Sequence, residues 1–269
     1  MEIKTIALSE KDPDISLTAY LPFTRKTSSD AILICPGGGY SCVCDGHEGE
    51  HIAVTFAALG FRCFVLKYSV KEKAKFPSPL IDASLAMSHI KQNAKEYGVN
   101  PERVFVLGFS AGGHLAASLG TLWHKDWLNA HLDMPFGENK PKGMILCYPV
   151  LSFFEETHMG TFTNAVGDTP NEENTREISL DLQVSENTVP AFLWHTMDDP
   201  AVHVENTLRM LSSLRRHKIV AEAHLYPHGP HGMATADLTV AGDEGVSPFL
   251  DERVAGWVGL AASFMKNLK

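Results

Sequence analysis

Apolar and polar residues alternate along this chain in short blocks. Eight apolar runs, rich in β-branched and aromatic residues, have the length and composition of buried strands. They lie at residues 3–8, 15–21, 31–35, 61–68, 104–107, 143–148, 189–195 and 220–226. From the third run onward, most are separated by stretches of helical periodicity, at 51–59, 79–97, 114–122, 203–217 and 251–268. This order predicts an α/β fold, with the first two strands as an edge hairpin and the others in a doubly wound, mainly parallel sheet.

The segment 151–188 interrupts this alternation. It is polar, weakly periodic and too long for a simple connection between two strands. We predict a small lid over the site, with Phe153, Phe154, His158 and Phe162 best able to contact a substrate. A surface excursion without function is the alternative. Because no linker or change of composition divides the chain, residues 1–269 are predicted to form a single domain.

A candidate nucleophile lies in the pentapeptide Gly-Phe-Ser-Ala-Gly at residues 108–112, which follows one predicted strand and opens a helix-like stretch. In this strand, turn and helix context, G-x-S-x-G forms a nucleophile elbow, which lifts the serine hydroxyl clear of the sheet. The flanking glycines remove Cβ atoms that would collide with strand and helix. Ser110 is therefore the predicted nucleophile.

A glycine run, Pro-Gly-Gly-Gly-Tyr at residues 36–40, follows the third predicted strand. Backbone N–H groups in such a run can point at one spot with no side chain in the way, as an oxyanion hole requires. We predict that Gly38, Gly39 and Ala111 donate to the oxyanion, Ala111 because it follows the nucleophile. A flexible turn or a phosphate loop is the alternative, but neither G-K-S/T nor the G-x-G-x-x-G spacing is present.

Candidates for the acid and the base follow in chain order. Asp198 and Asp199 lie in the loop after the seventh predicted strand, and either one could orient the base. The loop after the eighth strand contains His228 and His231. His231 lies farther from the strand end and has the freedom to reach Ser110, so it is the predicted base.

These residues predict acyl transfer in two steps, through an acyl-enzyme that a water molecule then clears. The predicted partner is a small-molecule ester. Tyr40 and Phe109, beside the glycine run and the nucleophile, are predicted to contact it together with Phe153 and Phe154 of the lid. Cys42, Cys44 and His47 do not make a convincing metal site, because C-x-C lacks a second ligand pair. We predict neither a metal nor a cofactor.

The composition limits the binding partners and the cellular location that we expect. The net charge of −9, with no Lys/Arg cluster to offset it, argues against nucleic acid or anionic membranes as partners. Five cysteines, an odd number, suggest reduced thiols. Residues 1–5 do not resemble a signal peptide, and no eighteen consecutive residues are apolar. We expect a cytoplasmic protein, and whether it forms a homo-oligomer is left open.

The motifs together resemble those of α/β-hydrolases, and among these the small carboxylesterases related to acetyl xylan esterases and bifunctional feruloyl/acetyl xylan esterases. The similarity covers most of the chain and is carried by residues 36–40, 47–50, 68–70, 79–82, 108–114, 148–150, 194–199, 204–206 and 228–232. Two positions depart from the family pattern: Pro36 stands where histidine is frequent, and His203 where proline is frequent. The first departure leaves the detailed shape of the oxyanion loop open.

The resemblance implies Ser110 as the nucleophile, His231 as the base and Asp199, by its family spacing, as the acid. It also implies an eight-stranded α/β-hydrolase fold and release of acetyl or other small acyl groups from sugars. Three alternatives remain: an esterase acting on non-sugar substrates, a serine peptidase of the prolyl-oligopeptidase type, and a binding protein without catalysis. The peptidases usually carry a large extra domain for which this chain has no room, and a binding protein would be expected to have lost a member of the triad.

Overall fold

The structure is a computed structural model that describes residues 1–9, 12–24, 28–154, 157–167, 171–242 and 247–269. One eight-stranded sheet runs through it, in the order β1-β2-β4-β3-β5-β6-β7-β8. Its strands are β1 (Glu2–Ala7), β2 (Ser16–Leu21), β3 (Ser29–Cys35), β4 (Arg62–Lys67), β5 (Val99–Phe109), β6 (Met144–Cys147), β7 (Ala191–Thr196) and β8 (Ala221–Tyr226). β1 and β2 pair antiparallel, as do β2 and β4, whereas β4, β3, β5, β6, β7 and β8 run parallel. The predicted edge hairpin and mainly parallel sheet are confirmed.

Helices cover both faces of this sheet. The described residues contain α1 (His51–Ala58), α2 (Ser78–Gln92), α3 (Ala94–Tyr97), α4 (Ser110–Leu122), α5 (Asp126–Asn129), α6 (Met159–Val166), α7 (Glu172–Ile178), α8 (Glu205–Arg216), α9 (Leu238–Ala241), α10 (Glu252–Ala255) and α11 (Trp257–Asn267). Along β3, Leu33 faces the core shared with α2 and α4, and Ile34 faces the core shared with α1 and α11. Because both faces are buried, the central strands are apolar at successive positions.

The segment 151–188 folds onto this core. Within its described residues it contains α6, α7 and a 3₁₀ turn, Leu180–Leu182, while residues 155–156 and 168–170 lie outside the described part. Phe162 and Leu180 pack into the core on the α2 and α4 face. The amide oxygen of Asn206 accepts hydrogen bonds from the N–H groups of Leu151 (2.8 Å) and Ser152 (2.9 Å), which secures the start of the segment.

The carboxyl ends of the parallel strands meet at one edge of the sheet, where ligands bind in open α/β folds. The glycine run follows β3, the G-x-S-x-G turn follows β5, and the acid and histidine loops follow β7 and β8. The topology therefore brings segments far apart in the chain to a single place.

Candidate active site

Ser110 occupies a sharp turn between β5 and α4. Its φ of +53° lies in the left-handed region, and it is the first residue of the helix. A Cβ on Gly108 would lie 2.0 Å from the carbonyl oxygen of Gly112, and a Cβ on Gly112 would lie 2.1 Å from that of Cys35. No side chain fits at either position, which is the steric reason for both glycines of the motif.

The structure joins Ser110, His231 and Asp199 in one hydrogen-bonded chain. The Ser110 Oγ lies 2.8 Å from Nε2 of His231, and Nδ1 of the same imidazole lies 2.7 Å from Oδ2 of Asp199. With Nδ1 protonated toward the carboxylate, Nε2 is left as the acceptor for the serine proton. The arrangement can therefore activate a serine hydroxyl by general-base catalysis.

Asp199 is held as a buried carboxylate. Its Oδ1 accepts from the N–H groups of Ala201 (2.9 Å) and Val202 (3.0 Å), and its side chain is inaccessible to solvent. Burial by itself would raise the pKa of Asp199, but hydrogen bonds from His195 and His231 outweigh it and hold the pKa well below its usual range. The acid therefore stays ionised opposite the imidazole.

Asp198 and His228 form a separate pair at the surface. The Asp198 carboxylate lies 2.8 Å from Nδ1 of His228 and accepts from the N–H of Gly229, also at 2.8 Å. More than half of each of the two side chains is exposed. The structure thus places Asp199 and His231 beside the serine, and Asp198 and His228 in the adjoining loops.

The glycine run lies against Ser110. A Cβ built on Gly37 would be 3.1 Å from Cβ of Ser110 and 3.0 Å from the carbonyl oxygen of Phe109, so the loop leaves no room for a side chain at Gly37 beside the nucleophile. Gly38 and Gly39 both have positive φ, +122° and +61°. Within the described residues, the N–H groups of Gly38, Gly39 and Ala111 form no hydrogen bond with another part of the chain, so they are available to a developing oxyanion.

Two polar residues of the segment 151–188 lie close to the same loop. The Asn164 amide donates to the carbonyl of Gly39 at 2.8 Å, tying α6 to the loop. His158 caps α6, and its Nδ1 accepts from the N–H of Thr161 at 3.3 Å. Burial, and then the nearby charge of His231, lowers the pKa of His158. A neutral imidazole therefore borders the site, and its Nε2 forms no hydrogen bond to a described residue.

The predicted aromatic contacts need correction. The Phe109 ring is fully buried against Tyr148 and Trp257, on the α11 side of the sheet. Tyr40 is also buried, with its hydroxyl 2.9 Å from Nδ1 of His114.

Phe153 and Phe162, in the segment 151–188, are core residues as well. Phe153 packs edge-on against His114 at 5.3 Å between ring centroids, and Phe162 lies beside it at the same distance. Phe154 is 42% exposed and contacts the guanidinium of Arg176. Of the five aromatic side chains predicted to contact a substrate, Phe154 alone presents an accessible ring; the rings of the other four are buried in the core.

Three residues that contact the site were not predicted from the sequence to have a role there. Glu48, Tyr148 and Asn164 all contact the loops that carry the candidate groups. Glu48 lies in a charged stretch, Gly46–Glu50, that is typical of an exposed segment, and burial of a carboxylate there has no local sequence signal.

Among the described residues, no group of three or more His, Cys, Asp or Glu side chains is arranged to bind a metal ion. None of the helices in the described part of the chain has the length and apolar character to cross a membrane.

A mainly parallel sheet with a serine elbow after one central strand, followed in chain order by an acid and a histidine, is the arrangement of an α/β-hydrolase. The BD-FAE family model matches residues 17–214. The chain therefore belongs to the BD-FAE family, as its motifs predicted.

Known relatives agree with this assignment. The chain is 36% identical, over 94% of its length, to endo-1,4-beta-xylanase B of Butyrivibrio fibrisolvens, and 30% identical, over 85%, to an acetylxylan esterase of Xylanibacter ruminicola. It covers 38% and 45% of those two proteins, so it spans less than half the length of the curated relatives it matches.

Solved structures match along the whole chain. An acetyl ester-xyloside bifunctional hydrolase from Caldicellulosiruptor lactoaceticus superposes with a TM-score of 0.84 at 33% identity, covering 98% of this chain and 95% of that one. A carboxylesterase from Lactobacillus plantarum gives a TM-score of 0.85 at 26% identity, with 99% and 97% coverage. The fold is thus shared from end to end with esterases.

Proposed function

We propose that this protein is a serine carboxylesterase that hydrolyses short acyl esters, acetyl esters above all, with Ser110, His231 and Asp199 as its catalytic triad. The observation that carries the proposal is the unbroken hydrogen-bonded chain from Ser110 Oγ through the His231 imidazole to Asp199. It supports the full set of roles, because each donor faces an acceptor of the kind that acyl transfer requires.

In the first step, Ser110 Oγ attacks the ester carbonyl while His231 Nε2 takes its proton. The carbonyl oxygen becomes an oxyanion, which the N–H groups of Gly38, Gly39 and Ala111 stabilise; one such donor contributes about 3 kcal/mol in other serine hydrolases. The bond to the alcohol oxygen then breaks, and His231 returns the proton to the leaving alcohol. An acyl-enzyme on Ser110 remains.

In the second step, a water molecule hydrolyses the acyl-enzyme through the same series of proton transfers. His231 takes one proton of the water as it attacks the acyl carbonyl, the same donors stabilise the second oxyanion, and the bond to Ser110 Oγ breaks as the proton returns to the serine. Asp199 stays ionised throughout and stabilises the imidazolium that forms twice in each cycle. Its low pKa is what this role needs.

For the substrate, we propose acetylated sugars such as xylo-oligosaccharides. The names of two relatives, an acetylxylan esterase and an acetyl ester-xyloside bifunctional hydrolase, support this class. Cleavage of glycosidic bonds is not proposed, because it normally needs two opposed carboxylates, and this site is organised around a serine. A general short-chain esterase on non-sugar substrates is the second candidate, supported by the similarity to the Lactobacillus plantarum carboxylesterase.

The two candidates differ in the alcohol that they accept. We would compare acetylated xylo-oligosaccharides with p-nitrophenyl acetate, measuring kcat/KM for each with the wild type and with Ser110→Ala as the blank. A sugar deacetylase is expected to release acetate from the oligosaccharide at least as efficiently as from the aryl ester. Efficient turnover of the aryl ester with none of the oligosaccharide would favour the general esterase.

A further inference from the structure

Glu48 is a buried carboxylate that takes no part in the steps described above. It lies in a π-helical turn, Gly46–Glu50, just before α1, and it is 3% exposed. Among the described residues, no Lys, Arg or His forms an ion pair with it. Burial of an unpaired carboxylate is costly unless hydrogen bonds compensate for the lost water.

Both of its oxygens accept hydrogen bonds from the site. Oε2 accepts from the N–H of Gly37 at 2.8 Å, in the loop that carries the oxyanion donors. Oε1 accepts from the hydroxyl of Tyr148 at 2.7 Å. The packing is tight, since a Cβ on Gly37 would lie 2.6 Å from Oε2. A single side chain thus reaches two different strand ends, those of β3 and β6.

Tyr148 extends the contact to the loop of the candidate base. Its hydroxyl also accepts from the N–H of Ala234 at 3.0 Å, three residues beyond His231. Its ring lies edge-on to the His231 imidazole, with 5.0 Å between centroids and 70° between planes. Glu48, Tyr148 and Ala234 therefore form a buried bridge between the oxyanion loop and the histidine loop.

We propose that Glu48 is a positioning residue: through Gly37 and Tyr148 it fixes the position of the oxyanion loop relative to His231, so that both are correctly placed around Ser110. The inference rests on the proposed esterase function. The two loops come from different strands and share no backbone hydrogen bond in the described residues, so the bridge fixes a separation that the sheet alone leaves free. Misplacement of a catalytic group by 1 Å costs roughly 10²-fold in rate.

Glutamine cannot reproduce these hydrogen bonds with the same donors and acceptors. If its Oε1 faces Gly37, its amide nitrogen faces the Tyr148 hydroxyl, whose proton then has no acceptor there. If the amide is flipped, its N–H₂ opposes the N–H of Gly37. Glu48→Gln therefore keeps the size of the side chain but reverses the bond to Tyr148, which leaves a buried phenolic proton without its acceptor. Tyr148→Phe removes the hydroxyl, and with it the bonds to Glu48 and to Ala234.

The experiment measures the fraction of protein molecules with a reactive serine and the turnover rate per reactive serine. Glu48→Gln, Tyr148→Phe and the double variant would be titrated with a p-nitrophenyl phosphonate, and kcat and KM for p-nitrophenyl acetate would be expressed per titrated serine. Glu50→Gln is the matched control, because Glu50 ends the same turn and is exposed. We expect kcat per site to fall about 10- to 100-fold in each single variant, with KM little changed, and the double variant to lose less than the product of the two.

A purely structural role would reduce the number of titrated sites and leave the rate per site unchanged. The inference is overturned if kcat per site stays within about twofold of wild type in both single variants, or if the two losses multiply fully, since residues in one bridge must couple. If Glu48→Gln does not fold, Tyr148→Phe decides alone, because it removes one oxygen atom. A wild type that the phosphonate does not label at Ser110 would overturn the proposed function itself, and this inference with it.

Discussion

The backbone at Ser110 shows how a single residue sets the chemistry. A left-handed φ of +53° costs a non-glycine residue roughly 1 to 2 kcal/mol, and the surrounding turn sustains that cost. Alanine carries the same Cβ and meets the same strain. Replacement of Ser110 by alanine is thus expected to remove the nucleophile and leave the fold as it is.

We expect Ser110→Ala to lower kcat by about 10⁶-fold, with an unchanged melting temperature. A serine-directed phosphonate should label Ser110 in the wild type, as peptide mass mapping would show. Ser212→Ala, at an exposed position of α8, is the control and should keep full activity. Labelling at another serine, or residual activity of a few per cent in Ser110→Ala, would show that the nucleophile lies elsewhere.

The two adjacent aspartates are expected to respond very differently to neutralisation. Asp199→Asn should lower kcat by about 10⁴-fold, because the asparagine favours the wrong imidazole tautomer. Asp198→Asn breaks only an exposed pair with His228 and should cost little. Steady-state kinetics on p-nitrophenyl acetate with both variants measures this contrast. The reverse result would assign the acid to Asp198.

Individual residues were predictable from sequence to the extent that a motif constrains the backbone. Ser110 and the glycines beside it follow from the sterics of one turn, which is local information. The choice of Asp199 over Asp198 needed the family spacing, because nothing in the loop sequence says which carboxylate turns inward. Tyr40 and Phe109 were placed wrongly as ring contacts, since proximity in sequence to the site does not say which way a side chain points.

At the scale of whole elements, the strands were the most predictable. All eight form, because buried parallel strands need continuous apolar runs that stand out in the sequence. The observed β5 begins at Val99, whereas the sequence predicted a strand from residue 104. The polar residues before 104 remain part of the strand because the pairing of β5 with β3 shifts its register between Ser29 and Ala31. The short helices α5, α6, α7 and α9 were missed, because helices of four to eight residues depend on tertiary contacts for their stability.

The segment 151–188 influences which acyl groups the site is expected to accept. Of its phenylalanines, Phe154 is exposed beside the guanidinium of Arg176, whereas Phe153 and Phe162 are turned into the core and pack against each other. They do not offer apolar surface to a long acyl chain. Each methylene of a substrate contributes about 0.8 kcal/mol only if it is buried, so a longer acyl chain gains little here.

We therefore expect acetyl esters to be hydrolysed with a higher kcat/KM than octanoyl esters. The measurement is a series of p-nitrophenyl esters from acetate to octanoate, which keeps the leaving group constant. Ser110→Ala under the same conditions corrects for spontaneous hydrolysis of the aryl esters. A steady rise of kcat/KM with chain length would mean that a long apolar channel receives the acyl group, and acetylated sugars would then have to be abandoned as the substrate class.

At the scale of the whole molecule, one fully buried and three half-buried histidines have pKa values lowered by burial. His114 is fully buried between the hydroxyl of Tyr40 and the carbonyl of Ile178, and burial lowers its pKa to about 4. Burial also lowers the pKa of His89, His124 and His158. In the unfolded chain, these groups take up protons near pH 6.5. The unfolded state consequently binds more protons than the folded state as the solution becomes acidic.

The sign of the pH dependence follows from this difference. Since the pKa of His114 is depressed on folding, its contribution to stability is complete above pH 6.5 and is lost as the pH falls toward about 4, by about 3 kcal/mol in all. Asp82 and Asp181 have the opposite effect on the pH dependence of stability. Burial raises the pKa of each carboxyl, so the folded protein binds these protons more readily than the unfolded chain, and this favours folding at acid pH.

We expect the free energy of unfolding to fall between pH 7 and pH 5, with His114 as the largest contributor. Urea denaturation of the wild type and of His114→Gln at pH 7, 6 and 5 measures this. The glutamine variant is expected to be less stable at pH 7 but to have a shallower pH dependence, since its side chain does not titrate. His131→Gln, at an exposed position, should keep the wild-type slope. Equal slopes for His114→Gln and wild type would mean that His114 binds its proton equally well in the folded and unfolded chains, and that other groups set the acid sensitivity.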